Sequence, residues 1–169
     1  MKTTIKAIVV LIIILFTFGC QKDAQAKMEA ENIELVKTAW SEWSNHNIDF
    51  FYDFYDQEEY KYYVPFNNSE PDSFDELVTA METAWKNFPD VSINIEKIFA
   101  SDDMVVTMML IKGTHTEIIE NRPPPNGNKI ETGVINIVRF EDGKVVEEWE
   151  NVDRLGYLKQ LGYEFKELD

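Results

Sequence analysis

The residues best suited to chemistry lie near the C-terminus, in the run KVVEEWENVDRLGYLKQLG (144–162). Side chains alternate between the two faces of a strand, so one face of this predicted strand carries Glu147, Trp149, Asn151 and Asp153. A carboxylate of ordinary pKa is a weak base toward a carbon acid, and apolar surroundings raise its pKa toward neutrality. Asp153 is therefore a candidate general acid/base, and Trp149 and Asn151 are candidate ligand contacts.

Asp153 has a second interpretation, as the cap of the next helix. It precedes a helical pattern over 154–161, which Gly162 ends. A capping carboxylate is held in its charged form, which lowers its pKa, whereas catalysis needs a raised pKa. The residues alone leave both roles open.

The opposite face of the same predicted strand carries Val146, Glu148, Glu150 and Val152. We expect Arg139, on the neighbouring strand, to pair at the surface with Glu148 or Glu150.

Histidine and tyrosine side chains provide further candidates. His115 shares a strand face with Met109, where it either donates a proton or hydrogen bond to a ligand carbonyl or satisfies backbone groups in a loop. Tyr60, Tyr62 and Tyr63 lie in an aromatic-rich, strand-like stretch, with 60 and 62 on the face opposite 63. One of these faces is expected to line a cavity with hydroxyls, while most aromatics of this region are expected in the core.

The hydrophobic periodicity predicts the elements that position these residues. The order is helix, helix, strand, helix, four antiparallel strands and a short terminal helix. Ser73 and Glu76 form a capping box at the start of the third helix, and Pro89 ends it. Helices on one face of a strongly curved sheet make an α+β cone, so we predict three N-terminal helices wrapped around a curved mixed or antiparallel sheet.

The composition limits the classes of function. The 169 residues are 44% hydrophobic and 13% aromatic, enough for one domain with its own core. A formal net charge of -15 without a basic run argues against a nucleic-acid partner, because phosphates require Lys and Arg. One Cys and two His provide neither an internal disulfide nor a His/Cys metal cluster, and we predict no metal site.

The N-terminal sequence predicts where in the cell the protein is located. Lys2 and Lys6 precede an apolar run over 7–18, followed by Gly19 and Cys20. The run is shorter than the roughly 20 residues of a spanning helix but suits a signal peptide. The pattern resembles a bacterial lipoprotein signal, which implies that Cys20 is lipidated; ordinary secretion with an incidental Cys is the alternative. We predict a signal peptide over 1–19, a tether over 20–29, a domain over 30–169 and a lipid-anchored position in the bacterial cell envelope.

Six short motifs carry a resemblance to a known family. They are FPD (88–90), GTHT (113–116), PPNG (124–127), RFEDGK (139–144), EW (148–149) with DRLG (153–156), and QLG (160–162). In this order they resemble the SnoaL-like polyketide/ester cyclases of the nuclear transport factor 2-like superfamily. The best-known members close a polyketide ring by an intramolecular aldol step without metal or cofactor. The resemblance implies that Asp153 matches their acid/base aspartate.

Three functions follow from these observations. The first is a cofactor-free enzyme that cyclises or isomerises a small apolar carbonyl compound, with Asp153 as base and His115 or a tyrosine assisting. The second is a lipoprotein that binds a small apolar ligand without chemistry. The third is an assembly module whose open sheet face pairs with a second copy to form a homodimer.

Overall fold

The structure is a computed structural model that describes residues 2–65, 69–118, 124–125 and 127–165, with side chains from Lys22 onward. Asn126 of the PPNG motif and the side chain of Cys20 therefore lie outside the described part. Within that part, four helices and five strands follow one another: α1 Lys2–Ser44, α2 Ile48–Phe54, β1 Lys61–Tyr63, α3 Phe74–Asn87, β2 Ser92–Ser101, β3 Met104–Thr114, β4 Lys129–Glu141, β5 Lys144–Val152 and α4 Arg154–Gln160.

The five described strands form one mixed sheet in the order β1-β5-β4-β3-β2. The four long strands pair antiparallel, whereas β1 pairs parallel to β5. Register shifts between Ile95 and Lys97 and between Arg139 and Phe140 mark β-bulges, which bend and twist a sheet. The predicted α+β fold, with three helices before the long strands, is confirmed.

The concave face of the sheet packs against the helices and forms the core. In β4, Val134, Asn136 and Val138 are buried while the intervening residues are more exposed, as the two-residue period requires. Aromatic side chains of α2 fill the space above this face, among them Phe51 and Phe54. Each fully buried side chain of this kind contributes about 1.5–3 kcal/mol of hydrophobic free energy.

The convex face of the sheet is open. Phe99, Met108 and Ile135 are exposed there, with Phe99 at 54% of its full accessibility. The predicted homodimer through this face stays a prediction.

Helix α3 begins at the predicted capping box. The Glu76 carboxylate accepts hydrogen bonds from the backbone N–H of Ser73 (2.7 Å) and from its hydroxyl (2.8 Å). These bonds lower the pKa of Glu76. Phe74, Met81 and Trp85 then bury one face of the helix, so the local signal and the packing agree.

Helix α1 contains the residues predicted as signal peptide and tether. Gln25 Nε2 donates to Asp102 Oδ1 (2.8 Å), and Glu29 Oε1 accepts from the backbone N–H of Asp102 (2.9 Å). The segment 20–29 is thus helical and contacts the β2–β3 turn. Within the described part of the chain, no helix has both the length and the apolar character that crossing a bilayer requires.

Asp153 caps α4 in the structure. Its Oδ1 accepts a hydrogen bond from the backbone N–H of Gly156 (2.9 Å), and the side chain is exposed. A Cβ on Gly156 would lie 2.2 Å from Asp153 Oδ2. A side chain at this position would require the Asp153 carboxylate to shift from its capping position.

We expect Asp153→Ala to lower the free energy of unfolding by about 1 kcal/mol, because an unsatisfied N-terminal amide replaces the cap. Asp153→Asn should stay within about 0.5 kcal/mol of wild type, since Asn caps helices as well as Asp does. Urea denaturation of the three proteins measures both values. An Asp153→Ala variant as stable as wild type would show that the cap contributes nothing.

Candidate active site

A pocket of about 240 Å³ lies between the helices and the concave face of the sheet. Its walls combine aromatic rings, carboxylates and small apolar side chains. Helices α1 and α3 provide most of the apolar wall, and β5 provides two carboxylates. The lining residues are Trp40, Trp43, Tyr55, Tyr62, Asp72, Glu76, Leu77, Ala80, Met81, Ala84, Ile111, Glu148 and Glu150.

Glu148 lies at the bottom of this pocket and is only 3% exposed. Its Oε2 accepts hydrogen bonds from the hydroxyls of Tyr55 (2.8 Å) and Tyr60 (2.7 Å), and its Oε1 accepts from Asn136 Nδ2 (2.6 Å). The two tyrosines come from the segment between α2 and β1, and Asn136 comes from β4. Three donors converge on one carboxylate, an arrangement that fits its ionised form.

The strand period explains why two carboxylates reach the pocket. Glu148 and Glu150 are two residues apart on β5, so both point to the concave face. Asn136 pairs with Glu150 across the β4–β5 ladder, which places its amide beside both acids. Its Oδ1 is buried and has no hydrogen-bond donor among the described residues.

Burial dominates the protonation of Glu148 and its tyrosine partners. Loss of water raises the pKa of Glu148 above its ordinary value, although the hydrogen bonds from Tyr60, Tyr55 and Asn136 oppose that rise. Burial, together with the charge of Glu148, raises the pKa values of both tyrosines well above normal. The tyrosines therefore remain hydrogen-bond donors over the whole working range of pH.

Glu150 is the titratable group with the most useful pKa. Burial and the neighbouring charge of Glu148 raise its pKa to about 8, against a smaller lowering by the Asn136 hydrogen bond. The residue is half-buried and lines the pocket. A carboxyl group with a pKa near 8 holds its proton at neutral pH and becomes a strong carboxylate base once that proton leaves.

The predicted tyrosines separate as the strand period requires. Tyr60 is buried against Glu148, and Tyr62 lines the pocket. Burial, followed by the charges of Glu150 and Glu148, raises the pKa of Tyr62, so its hydroxyl keeps its proton. Tyr63 lies on the convex side, stacked on Trp149 at 5.5 Å between ring centres.

The structure does not bring Trp149, Asn151 or Asp153 to the pocket. They share a face, as the alternation indicated, but it is the convex face, where Asn151 and Asp153 border a shallow groove beside Met108. Alternation tells which residues share a face and not which face the helices cover. Their roles in catalysis and ligand binding stay predictions, without support from this pocket.

His115 follows the end of β3 and is completely buried. Its backbone N–H donates to the carbonyl of Asn128 (2.9 Å), and its ring lies 5.6 Å from that of Phe88. Neither ring nitrogen has a partner among the described residues, and His115 does not line the pocket. Its assistance in catalysis also stays a prediction.

Arg139 does not pair with Glu148 or Glu150, so that prediction was wrong. Its guanidinium contacts Glu147 on the convex face and Glu141 at 3.2 Å. The missed site residues, Glu148 and Glu150, were visible as carboxylates on the same strand face as Val152. Two carboxylates on a strand face that also carries valines indicate buried acids, and this was the signal that could have identified the site.

Among the described residues, no three His, Cys, Asp or Glu side chains are arranged to hold a metal ion.

Comparisons with known proteins place this geometry in a family. The model of the SnoaL-like polyketide cyclase family matches residues 34–161, while none of the curated proteins matches the sequence.

Similar solved structures include AclR from Streptomyces galilaeus, at 25% identity and a TM-score of 0.72, covering 79% of this chain and 82% of AclR. IdmH from Streptomyces antibioticus is 21% identical with a TM-score of 0.67, covering 77% of this chain and 97% of IdmH. A SnoaL-like polyketide cyclase from Agrobacterium tumefaciens is 16% identical with a TM-score of 0.62, covering 76% and 95%. The chain belongs to the SnoaL-like polyketide cyclase family.

Proposed function

We propose that this protein is a cofactor-free acid/base enzyme that acts on a small carbonyl compound, by an aldol-type cyclisation or an isomerisation. The proposal rests on one observation: Glu150 lines an aromatic pocket, and its carboxyl group there has a pKa of about 8. Family membership supports the same class of reaction. Glu150 is the general acid/base in this proposal, in place of Asp153.

The proton moves between substrate carbon and Glu150. The ionised carboxylate of Glu150 removes a hydrogen from the carbon next to a carbonyl group, and the electron pair of that C–H bond forms an enolate. The hydroxyl of Tyr62 lines the same pocket and donates a hydrogen bond to the enolate oxygen. The enolate carbon then attacks a second carbonyl, and Glu150 returns its proton to the new alkoxide. In an isomerisation, the proton returns to a different carbon.

Burial, followed by the charge of Glu148, raises the pKa of Glu150, and the hydrogen bond from Asn136 opposes that rise. Glu148 is held as the charged partner by three donors, and its charge disfavours a second charge on Glu150. The amide oxygen of Asn136 has no hydrogen-bond donor among the described residues. The carboxyl proton of Glu150, which pairs with Asn136 across the ladder, is available to donate to it. Glu148 and Asn136 thus act as positioning residues and do not exchange protons with the substrate.

We also propose that Cys20 anchors the protein to a membrane of the cell envelope. The support is the sequence pattern of Lys2, Lys6, the apolar run over 7–18 and the cysteine that follows.

The protonation of Glu150 predicts how stability depends on pH. Between pH 4.5 and about 8, Glu150 is protonated in the folded state and ionised in the unfolded state, so the contribution of Glu150 to the free energy of unfolding falls across this window as pH rises. Glu150→Gln removes this group, and we expect the variant to gain stability relative to wild type as pH rises, levelling above pH 8. Urea denaturation at several pH values measures this difference. The matched control is Glu82→Gln, an exposed acid on α3. A difference that does not change with pH would contradict the assigned pKa.

Catalysis is tested by hydrogen exchange at carbon. In D₂O, wild type should accelerate deuterium uptake at C2 of a β-keto ester, with ethyl acetoacetate and its quaternary ammonium analogue acetoacetylcholine as the two probes, and the rate should rise with pH up to about 8. Glu150→Gln should reduce the enzyme-catalysed rate by about 100-fold or more, the contribution of a general base. Proton NMR follows the exchange.

Asp153→Asn is the control for this assay, because its cap is retained. Its rate should match wild type. Loss of exchange in Asp153→Asn, with an unaffected Glu150→Gln, would move the base to Asp153. Absence of exchange in wild type would leave a binding protein of the same family.

Lipidation predicts that Cys20→Ser moves the protein from the membrane fraction to the soluble fraction when it is expressed in a bacterium with lipoprotein processing. Loss of the acyl chains removes about 0.8 kcal/mol per buried methylene. Metabolic labelling with an alkyne fatty acid should mark wild type and not the variant. Equal labelling of both proteins would exclude Cys20 as the acylated residue.

A further inference from the structure

The pocket has an unusual balance of charge. Four carboxylates line it, from Asp72, Glu76, Glu148 and Glu150, and the described lining contains no Lys, Arg or His. Asp72 and Glu76 are exposed, so they lie toward the mouth, whereas Glu148 lies at the bottom. Glu150 keeps its proton at neutral pH, so the negative charge lies at the mouth, on Asp72 and Glu76, and at the bottom, on Glu148.

Among the residues that the structure describes, no Lys, Arg or His forms a salt bridge with Glu148. Its hydrogen-bond partners are two hydroxyls and an amide, which are dipoles without net charge. Arg154 is close enough to Tyr62 to lower its pKa, but it borders a neighbouring groove and does not line this pocket. In surroundings of low dielectric constant, an uncompensated charge strongly favours an opposite charge on whatever enters.

Aromatic rings complete the lining. Trp40 and Trp43 of α1, with Tyr55 and Tyr62, contribute indole and phenol groups to the same space. The electron-rich faces of such rings attract cations, and tryptophan attracts them most strongly. Aromatic cages are a lining by which proteins recognise quaternary ammonium groups, and nearby carboxylates add Coulombic attraction for the cation. A neutral apolar ligand has no use for the carboxylates, and an anionic ligand is repelled by them.

We propose that the ligand of this pocket is a small organic cation that carries a primary or quaternary ammonium group. This inference rests on the proposed function for its site, and there it defines the substrate as a carbonyl compound with an ammonium group. The cationic group pairs with Glu148 and the indoles, and the carbonyl-bearing carbon lies at Glu150. The volume of about 240 Å³ limits the ligand to a small molecule.

Matched pairs of probes test the charge requirement without any turnover. Choline is compared with its neutral carbon isostere 3,3-dimethylbutan-1-ol, and benzylamine, which is an ammonium ion at pH 7, with benzyl alcohol. Isothermal titration calorimetry at low ionic strength measures each Kd with the full chain. We expect each cation to bind at least about tenfold more tightly than its neutral partner.

Two acid-to-amide variants locate the binding site. Asp72→Asn removes a carboxylate at the mouth, and we expect it to weaken cation binding by about twofold to fivefold while leaving the alcohols unchanged. Glu82→Gln removes an exposed carboxylate of α3 outside the lining and should change neither. Trp43→Leu should weaken cation binding by about fivefold or more, with circular dichroism to confirm that it folds.

The outcomes separate this inference from the proposed function. Equal or tighter binding of the alcohols, or no binding of any probe up to about 10 mM, overturns the cation assignment. Cation binding that Asp72→Asn and Trp43→Leu leave unchanged also overturns it, because the ions then bind elsewhere. Loss of carbon-acid exchange alone refutes the catalytic proposal and leaves the calorimetric result standing.

Discussion

The burial of one carboxylate constrains the rest of this structure. An ionised group deprived of water is costly unless hydrogen bonds replace its hydration, and Glu148 obtains three of them from three parts of the chain. Tyr55 must follow α2, Tyr60 must precede β1, and Asn136 must lie in register on β4. The parallel pairing of β1 with β5 holds the tyrosine segment against the end of the sheet where Glu148 lies. The fold and the floor of the pocket therefore depend on each other.

The same carboxylate organises the chemistry around it. Burial, together with the charge of Glu148, raises the pKa of Glu150, two residues along the strand, so that Glu150 keeps a proton at neutral pH. Two acids with identical side chains thus acquire different roles, because one has three donors and the other faces a cavity with a single amide beside it. This division arises from the strand period and from Asn136, without any exceptional residue type.

Much of the fold could be predicted from the sequence, because its signals are local. The capping box at Ser73, the alternation in β4 and the turn between β4 and β5 each specify an element without knowledge of the others. The site could not be predicted in the same way. Trp149 of β5 and Asp153 just after it lie on one face, Glu148 and Glu150 of β5 lie on the other, and only the position of the helices decides which face is covered. Tyr60 could be predicted as a site residue because it belongs to an aromatic segment that was expected to border the cavity.

The hydrogen bonds from Gln25 and Glu29 to the turn at Asp102 have a mechanical consequence. Helix α1 is continuous from this contact back through residue 20, and a helix rises 1.5 Å per residue. About 14 Å of stiff rod then separates residue 20 from Glu29. With acyl chains at residue 20, as proposed, a short rigid helix and not a flexible linker would connect the domain to the membrane. The pocket entrance would then keep a nearly fixed distance and orientation relative to the bilayer. Ligands would approach it from one side.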